Sequence, residues 1–177
     1  MAATEKPRVL VIGVGNVLRG DDMFGVEVTH RLEKMNLPPS VRITETGIAG
    51  ISFVQELMEG YEGVLLVDAV ERGKPPGTLV LMEPKVPDAS SLTAEQRLSF
   101  FSDLHQADPS IGLIMAKALG HLPEHVRVLG CEVGDTDELL TDMTPPVAAA
   151  VPKAIEMVLQ TLRQWLGVDI EVEAVTA

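Results

Sequence analysis

The chain has 177 residues, of which 46% are hydrophobic and 23% charged, a composition that predicts one globular domain with a sizeable core. Twenty-six acidic residues against fourteen lysines and arginines give a net charge of −12, which argues against nucleic acid and anionic membrane surfaces as partners. Residues 1–7 contain no apolar leader, no run is long enough to span a membrane, and a single cysteine excludes an internal disulfide. We therefore expect a cytoplasmic protein with a protein or small-ligand partner.

The first predicted element is a strand that ends in a glycine-rich, acidic turn. Residues 9–12 are all apolar and rich in β-branched side chains, which is typical of a strand buried on both faces of a parallel sheet. A helix should follow from Met23, with Asp21 or Asp22 capping its first turn. The glycines that permit the tight turn are Gly13, Gly15 and Gly20. In open α/β sheets such a turn, at the carboxyl end of a strand, is where ligands bind.

The amino-acid sequence of this turn differs from a dinucleotide-binding fingerprint. The motif G-x-G-x-x-G needs a third glycine where this chain has Leu18, and two carboxylates follow where a pyrophosphate would lie. Carboxylates favour a cation instead. Because one carboxylate is enough for a helix cap, Asp22 becomes a candidate functional residue.

A second buried strand also ends in an acid. Helical spacing of apolar residues predicts a helix over residues 24–35, then a strand at 41–44 and a short helix at 53–58. Residues 63–69 form another solid apolar run, which contains Asp68 near its end. If this strand runs parallel to the first, Asp68 and Asp22 lie at the same edge of the sheet. The structural alternative is that Asp68 caps the next turn.

The sequence pattern in the second half of the chain predicts an edge strand, a helix, a further strand and a long terminal helix. Residues 78–82 are expected to form an antiparallel edge, and residues 94–101 one or two helical turns. A helix should begin near Pro109, a strand should span residues 126–131, and the terminal helical region should open at Pro145. We expect Pro152 to break or kink this last region, and residues 1–7 and 168–177 to fray.

His105 is the histidine with the strongest claim to a site, because its loop leads onto the helix that begins near Pro109. With Asp22 and Asp68 it would offer a metal ion two carboxylate oxygens and one imidazole nitrogen, and would leave other coordination positions of the metal open. This ligand set suits a borderline divalent metal. The two carboxylates could instead polarise a water for attack on a peptide carbonyl. A thiol enzyme built from Cys131 with His105 as base is a weaker alternative. Composition does not choose among these roles.

Several motifs together resemble the nickel-iron hydrogenase maturation proteases, in the same order from residue 9 to about residue 166. The first motif is the most specific and the His105 region the least. The matching stretches are residues 13–18 followed by Asp21, Asp22 and Gly25, residues 66–69, His105 with Gln106, and residues 140–145 before an Ala- and Val-rich helix.

The resemblance implies a three-layer α/β/α sandwich of phosphorylase/hydrolase-like type, with a mostly parallel central sheet of about five strands. It also implies an endopeptidase, classed as aspartic-type, that removes the C-terminal extension of a hydrogenase large-subunit precursor after nickel insertion. The family's metal-approaching residues map to Asp22, Asp68 and His105, and its catalytic acids to Asp22 and Asp68. Nickel would arrive on the substrate, no tightly held organic cofactor is expected, and the protein would be a monomer.

Two other classes compete with this interpretation. One is a non-catalytic nucleotide-binding module, in which Glu45 near the end of the second strand would bind a ribose. The other is a scaffold that delivers metal from the same surface without cleaving anything.

Overall fold

A computed structural model describes residues 8–47, 50–93, 95, 109–134 and 141–170 of the chain. The described strands form one five-stranded sheet in the order β2-β1-β3-β5-β4. β1 pairs in parallel with β2 and β3, β3 pairs in parallel with β5, and β4 lies antiparallel to β5 at the edge. Both the mostly parallel sheet and its antiparallel edge strand are as predicted. The strands are β1 (Val9–Val14), β2 (Val41–Gly47), β3 (Gly63–Val70), β4 (Leu79–Met82) and β5 (His125–Glu132).

Helices cover both faces of the sheet, which confirms the three-layer architecture. One face packs against α1 (Phe24–Glu33) and the long α4 (Pro145–Leu166). The other packs against α2 (Gly50–Leu57) and α3 (Pro109–Ala118). The two apolar layers form because side chains alternate along each central strand, so that Val11 and Leu65 enter one core while Ile12 and Leu66 enter the other.

The two central strands bring their ends to one edge of the sheet. β1 is buried along its whole length and β3 over its first five residues, which explains their uninterrupted apolar sequence. Their parallel register runs from Val9 beside Gly63 to Gly13 beside Val67. The turn after β1 and the last residues of β3 therefore share the carboxyl edge of the sheet.

Gly25 allows α1 to approach this edge closely. A Cβ atom at Gly25 would lie 2.2 Å from the Val67 carbonyl oxygen and 2.3 Å from that of Val14. The helix therefore rests on the backbone of β1 at its last residue and on the backbone of β3 at Val67. This contact fixes the start of α1, and with it the acidic turn.

Of the break or kink expected at Pro152, the break is wrong, because one helix runs from Pro145 to Leu166, whereas a kink stays a prediction. Pro152 cannot donate to the Ala148 carbonyl, at a typical cost of about 3 kcal/mol. However, the proline is exposed, while the opposite side of the helix buries residues such as Val151 and Val158. Burial of that apolar face outweighs the lost hydrogen bond.

The packed chain continues beyond α4 into the segment for which fraying was expected. Gly167 ends the helix in a left-handed conformation with φ of 66°. Ile170 is 3% exposed, and its carbonyl accepts a 2.7 Å hydrogen bond from Arg163 Nη2. Residues 1–7 and 171–177, and most of the helical turns expected at 94–101, lie outside the described residues.

No helix in the described part of the chain is both long and apolar enough to cross a membrane.

Candidate active site

The turn after β1 is organised around Asp22. The Asn16 N–H donates to Asp22 Oδ2 at 2.9 Å, and the Leu18 N–H donates to Asn16 Oδ1 at 3.0 Å. Two backbone bonds of 3.1 Å close the turn, from Arg19 N–H to the Asn16 carbonyl and from Asp22 N–H to the Arg19 carbonyl. The Asp22 side chain is half-buried. The loop therefore presents a carboxylate of fixed orientation at the carboxyl edge.

Gly15 is required by the same turn. Its φ of 143° is one that residues with a side chain rarely adopt, and an added Cβ would lie 1.9 Å from the Asp22 carbonyl oxygen. The glycine predicted to permit a tight turn thus also makes room for the Asp22 backbone.

Asp21 has a structural role that differs from the predicted helix cap. Neither α1 nor the 3-10 turn before it (Gly20–Met23) has a side-chain cap. The Asp21 carboxylate, 1% exposed, instead accepts bonds from Thr144 N–H at 2.6 Å, Thr144 Oγ1 at 2.9 Å and Gly134 N–H at 3.3 Å. Because it satisfies polar groups at the end of β5 and at the start of α4, it ties these elements to the acidic turn.

Asp68 lies on β3, on the face that packs against α2 and α3. It alternates with Val64 and Leu66, which enter that core, and its side chain is half-buried. Asp68 lines a cavity of about 550 Å³ together with Leu66, Ser110 and Val128. The parallel pairing of β1 with β3, on which the predicted juxtaposition with Asp22 depends, is present. A joint site of the two acids stays a prediction.

The third predicted ligand, His105, lies outside the described residues. Within the described part of the chain, no three His, Cys, Asp or Glu side chains cluster in a way that would hold a metal ion. Asp22 and Asp68 are both half-buried, and carboxylate oxygens are a donor type that divalent cations accept, so their chemistry is compatible with a metal ion.

The thiol-enzyme alternative is wrong for Cys131. The residue is fully buried and belongs to the core under α1 and α4, on the face of the sheet opposite Asp68. Burial, with a smaller contribution from the negative charge of Asp21, raises the pKa of the Cys131 thiol to about 11. At neutral pH the side chain is therefore a protonated core residue rather than a nucleophile.

The structure weakens the nucleotide-binding alternative at its one support, Glu45, and at the acidic turn that already argued against it. Glu45, the proposed ribose ligand, pairs with His30 Nε2 at 3.0 Å on the surface. The Asn16 N–H, which a phosphate cradle would direct at the ligand, is taken by Asp22 Oδ2. Of the other described histidines, His125 stands at the start of β5 and stacks on Trp165 with ring centroids 5.8 Å apart, and His121 follows the end of α3.

Sequence reasoning missed the partnership between Asp21 and Thr144, which are separated by 123 positions. The available signals were the doubled aspartate and the Thr144-Pro145 helix start. Neither identifies the other, because only the folded chain brings the start of α4 to the turn after β1.

The three-layer α/β/α domain, with carboxylates at the carboxyl edge of a parallel sheet, belongs to the class of open α/β folds, in which ligands bind at the strand ends. Residues 26–161 match the family model of the hydrogenase maturation proteases. The chain belongs to this family, whose members are peptidases.

Individual relatives agree with this assignment. The chain is 32% identical over 160 residues to the hydrogenase expression/formation protein HupD of Rhizobium leguminosarum, covering 90% of this chain and 76% of the relative. It is similar to the structure of the hydrogenase maturating endopeptidase HybD from E. coli, with a TM-score of 0.76, 26% identity, and coverage of 96% and 99% of the two chains. A hydrogenase 2 maturation peptidase from a Thaumarchaeota archaeon has a TM-score of 0.62 and 35% identity, with 88% and 97% covered.

Proposed function

We propose that this protein is the endopeptidase that removes the C-terminal extension of a nickel-iron hydrogenase large-subunit precursor, and that it acts after nickel has been inserted. Membership of the maturation protease family supports the substrate class. The observation that carries the proposal is the Asp22 turn, in which Asn16 and Gly15 hold a half-buried carboxylate at the sheet edge that Asp68 shares.

Nickel enters this proposal as part of the substrate. Asp22, Asp68 and His105 would contribute the oxygens and the nitrogen that contact it, which suits a borderline divalent cation. The metal would supply orientation and Lewis acidity when the loaded precursor is bound. Either Asp22 or Asp68 would act as the general base that takes a proton from the attacking water.

Recognition of the bound metal explains how cleavage would wait for nickel insertion. A precursor without nickel would present no cation to the two carboxylates, so it would lose both binding energy and the positioning of its scissile bond. The held orientation of Asp22 reduces the reorganisation needed when the metal arrives. We further propose that the enzyme is a cytoplasmic monomer, that it holds no organic cofactor of its own, and that neither nucleic acids nor membranes are its partners.

The test is incubation of the enzyme with purified large-subunit precursor in nickel-loaded and nickel-free form, followed by intact-mass measurement. We expect loss of the C-terminal extension from the loaded form alone. Glu45→Gln is the matched control, because Glu45 pairs with His30 on the surface and should be dispensable for cleavage. Equal cleavage of both forms would refute nickel recognition, and cleavage of neither would refute the peptidase assignment to this substrate.

The metal-delivery scaffold is separated by a single-turnover experiment. With enzyme in excess over a precursor that already contains nickel, a peptidase gives one cleaved product per precursor. A scaffold would leave the mass of this precursor unchanged.

A further inference from the structure

The cavity beside Asp68 is lined by strands of the sheet, by the start of α3 and by the segment after β4. Its floor consists of side chains of β3 and β5, and its rim includes Pro109 and Ser110 at the start of α3. The segment after β4 forms another wall. Lys117 of α3 anchors that segment, because its Nζ donates to the Val86 carbonyl at 2.7 Å and pairs with Asp88 at 3.0 Å.

The lining combines apolar surface with two cations. The apolar side chains come from three strands and from α3: Leu66, Val70, Met82, Leu113 and Val128. Arg72 and Lys85 also line the cavity, and neither is ion-paired with a residue in the described part of the chain. Glu83, the other acid besides Asp68, is engaged by Arg127 at 3.1 Å. In a chain with a net charge of −12, this local positive pair is notable.

The position of Arg72 is held through its backbone. Its N–H donates to Glu132 Oε1 at 2.7 Å, and Glu132 is 2% exposed. The guanidinium group of the exposed Arg72 donates to the sulfur of Met82 on β4, which also lines the cavity. The backbone anchor therefore survives a substitution of the side chain, which makes Arg72 suitable for a charge-removing variant.

We propose that this cavity is a specificity subsite for an extended segment of the precursor in which an apolar side chain lies next to a carboxylate. The inference rests on the proposed function, since Asp68 forms part of the lining. About 550 Å³ falls within the usual range for a binding pocket. The apolar floor accepts a side chain, and Arg72 and Lys85 at the rim attract the neighbouring carboxylate. A small inorganic anion would leave that floor unfilled, so a peptide is the better occupant.

Binding is tested with three fluorescein-labelled octapeptides in which leucine alternates with aspartate, with asparagine or with lysine. Fluorescence anisotropy with the wild-type enzyme should show tightest binding of the leucine–aspartate peptide. Arg72→Gln and Lys85→Gln should each weaken that binding by about two- to fivefold, the range of partly screened single charges, and leave the leucine–asparagine peptide unaffected. Lys85→Glu should reverse the preference towards the leucine–lysine peptide.

Lys34→Gln is the matched control, because Lys34 is an exposed cation at the end of α1, on the other face of the sheet. It removes the same charge and should leave all three affinities unchanged. Equal binding of the three peptides by the wild-type enzyme, or an equal effect of Lys34→Gln and Lys85→Gln, would overturn the subsite. Because binding is measured without nickel or cleavage, failure of the proposed function would instead appear as an uncut loaded precursor with the peptide preferences intact.

Discussion

Replacing Asp21 by alanine should lower the free energy of unfolding by about 3–5 kcal/mol. Removing the charge of the neighbouring Asp22 should change this free energy much less. Asp21 is 1% exposed and accepts three hydrogen bonds from Thr144 and Gly134. A hydrogen bond to a charged group contributes about 1.5–3 kcal/mol, and each buried N–H left without an acceptor costs about 1–3 kcal/mol. The two backbone donors alone therefore account for most of the expected loss.

Asp22→Asn is the matched comparison for Asp21→Asn. Asp22 is half-buried, and its carboxylate accepts a hydrogen bond from the Asn16 N–H. The side-chain oxygen of an asparagine can still accept this hydrogen bond. We expect Asp22→Asn to stay within about 1 kcal/mol of the wild type. Asp21→Asn replaces an acceptor by an NH₂ group that faces donors, so it should be destabilising by about 2–4 kcal/mol.

The assay is urea unfolding, followed by far-UV circular dichroism and by the fluorescence of Trp165, the single tryptophan of the chain. Thr144→Ala, which removes the hydroxyl donor to the Asp21 carboxylate and keeps the backbone donor, should cost about 1.5–3 kcal/mol. The double variant with Asp21→Asn should be less destabilised than the sum of the single variants. An Asp21→Ala protein within 1 kcal/mol of the wild type would refute a structural role for this carboxylate.

Three further predictions follow from the site. Gly15→Ala should displace the Asp22 backbone and lower cleavage of the loaded precursor at least tenfold by intact mass; full activity would contradict the close approach. Because burial raises the pKa of Cys131 to about 11, the thiolate forms only as the pH rises towards that value. Native enzyme should therefore resist iodoacetamide at pH 8, while urea-unfolded enzyme is alkylated. Equal labelling of the two forms would contradict the burial of this thiol. Adenine dinucleotides should show no heat of binding in calorimetry, since Glu45 is paired with His30; micromolar binding would restore the nucleotide-binding alternative.

The sequence was sufficient to predict the sheet, because burial imposes a recognisable pattern on the central strands. Residues 9–12 and 63–67 lie between two helical layers, so both faces must be apolar and no alternation appears. The short β4 could likewise be identified as an antiparallel edge. The α4 prediction failed at Pro152 because local propensity favours a break, whereas the buried side of the helix, which only the tertiary structure reveals, holds it together.

The candidate site was predictable only in part. Asp22 and Asp68 could be proposed because each comes after a continuous apolar run, and parallel strands end at a common edge. The different roles of Asp21 and Asp22 could not be predicted, because the role of Asp21 depends on its hydrogen bonds with Thr144, 123 positions further along the chain. The cations of the Asp68 cavity were equally hidden, because Arg72 and Lys85 stand in segments that no motif marks.

The most direct test of the central claim compares Asp22→Asn, Asp68→Asn and His105→Ala as single variants that have first been shown to unfold at the wild-type urea concentration. Each is mixed with nickel-loaded precursor, and the product is weighed by intact mass. Loss of cleavage in all three variants, with Glu45→Gln still active, is the result expected if these side chains jointly hold the substrate's nickel at the sheet edge. Cleavage at the wild-type rate by Asp22→Asn or Asp68→Asn would contradict the account.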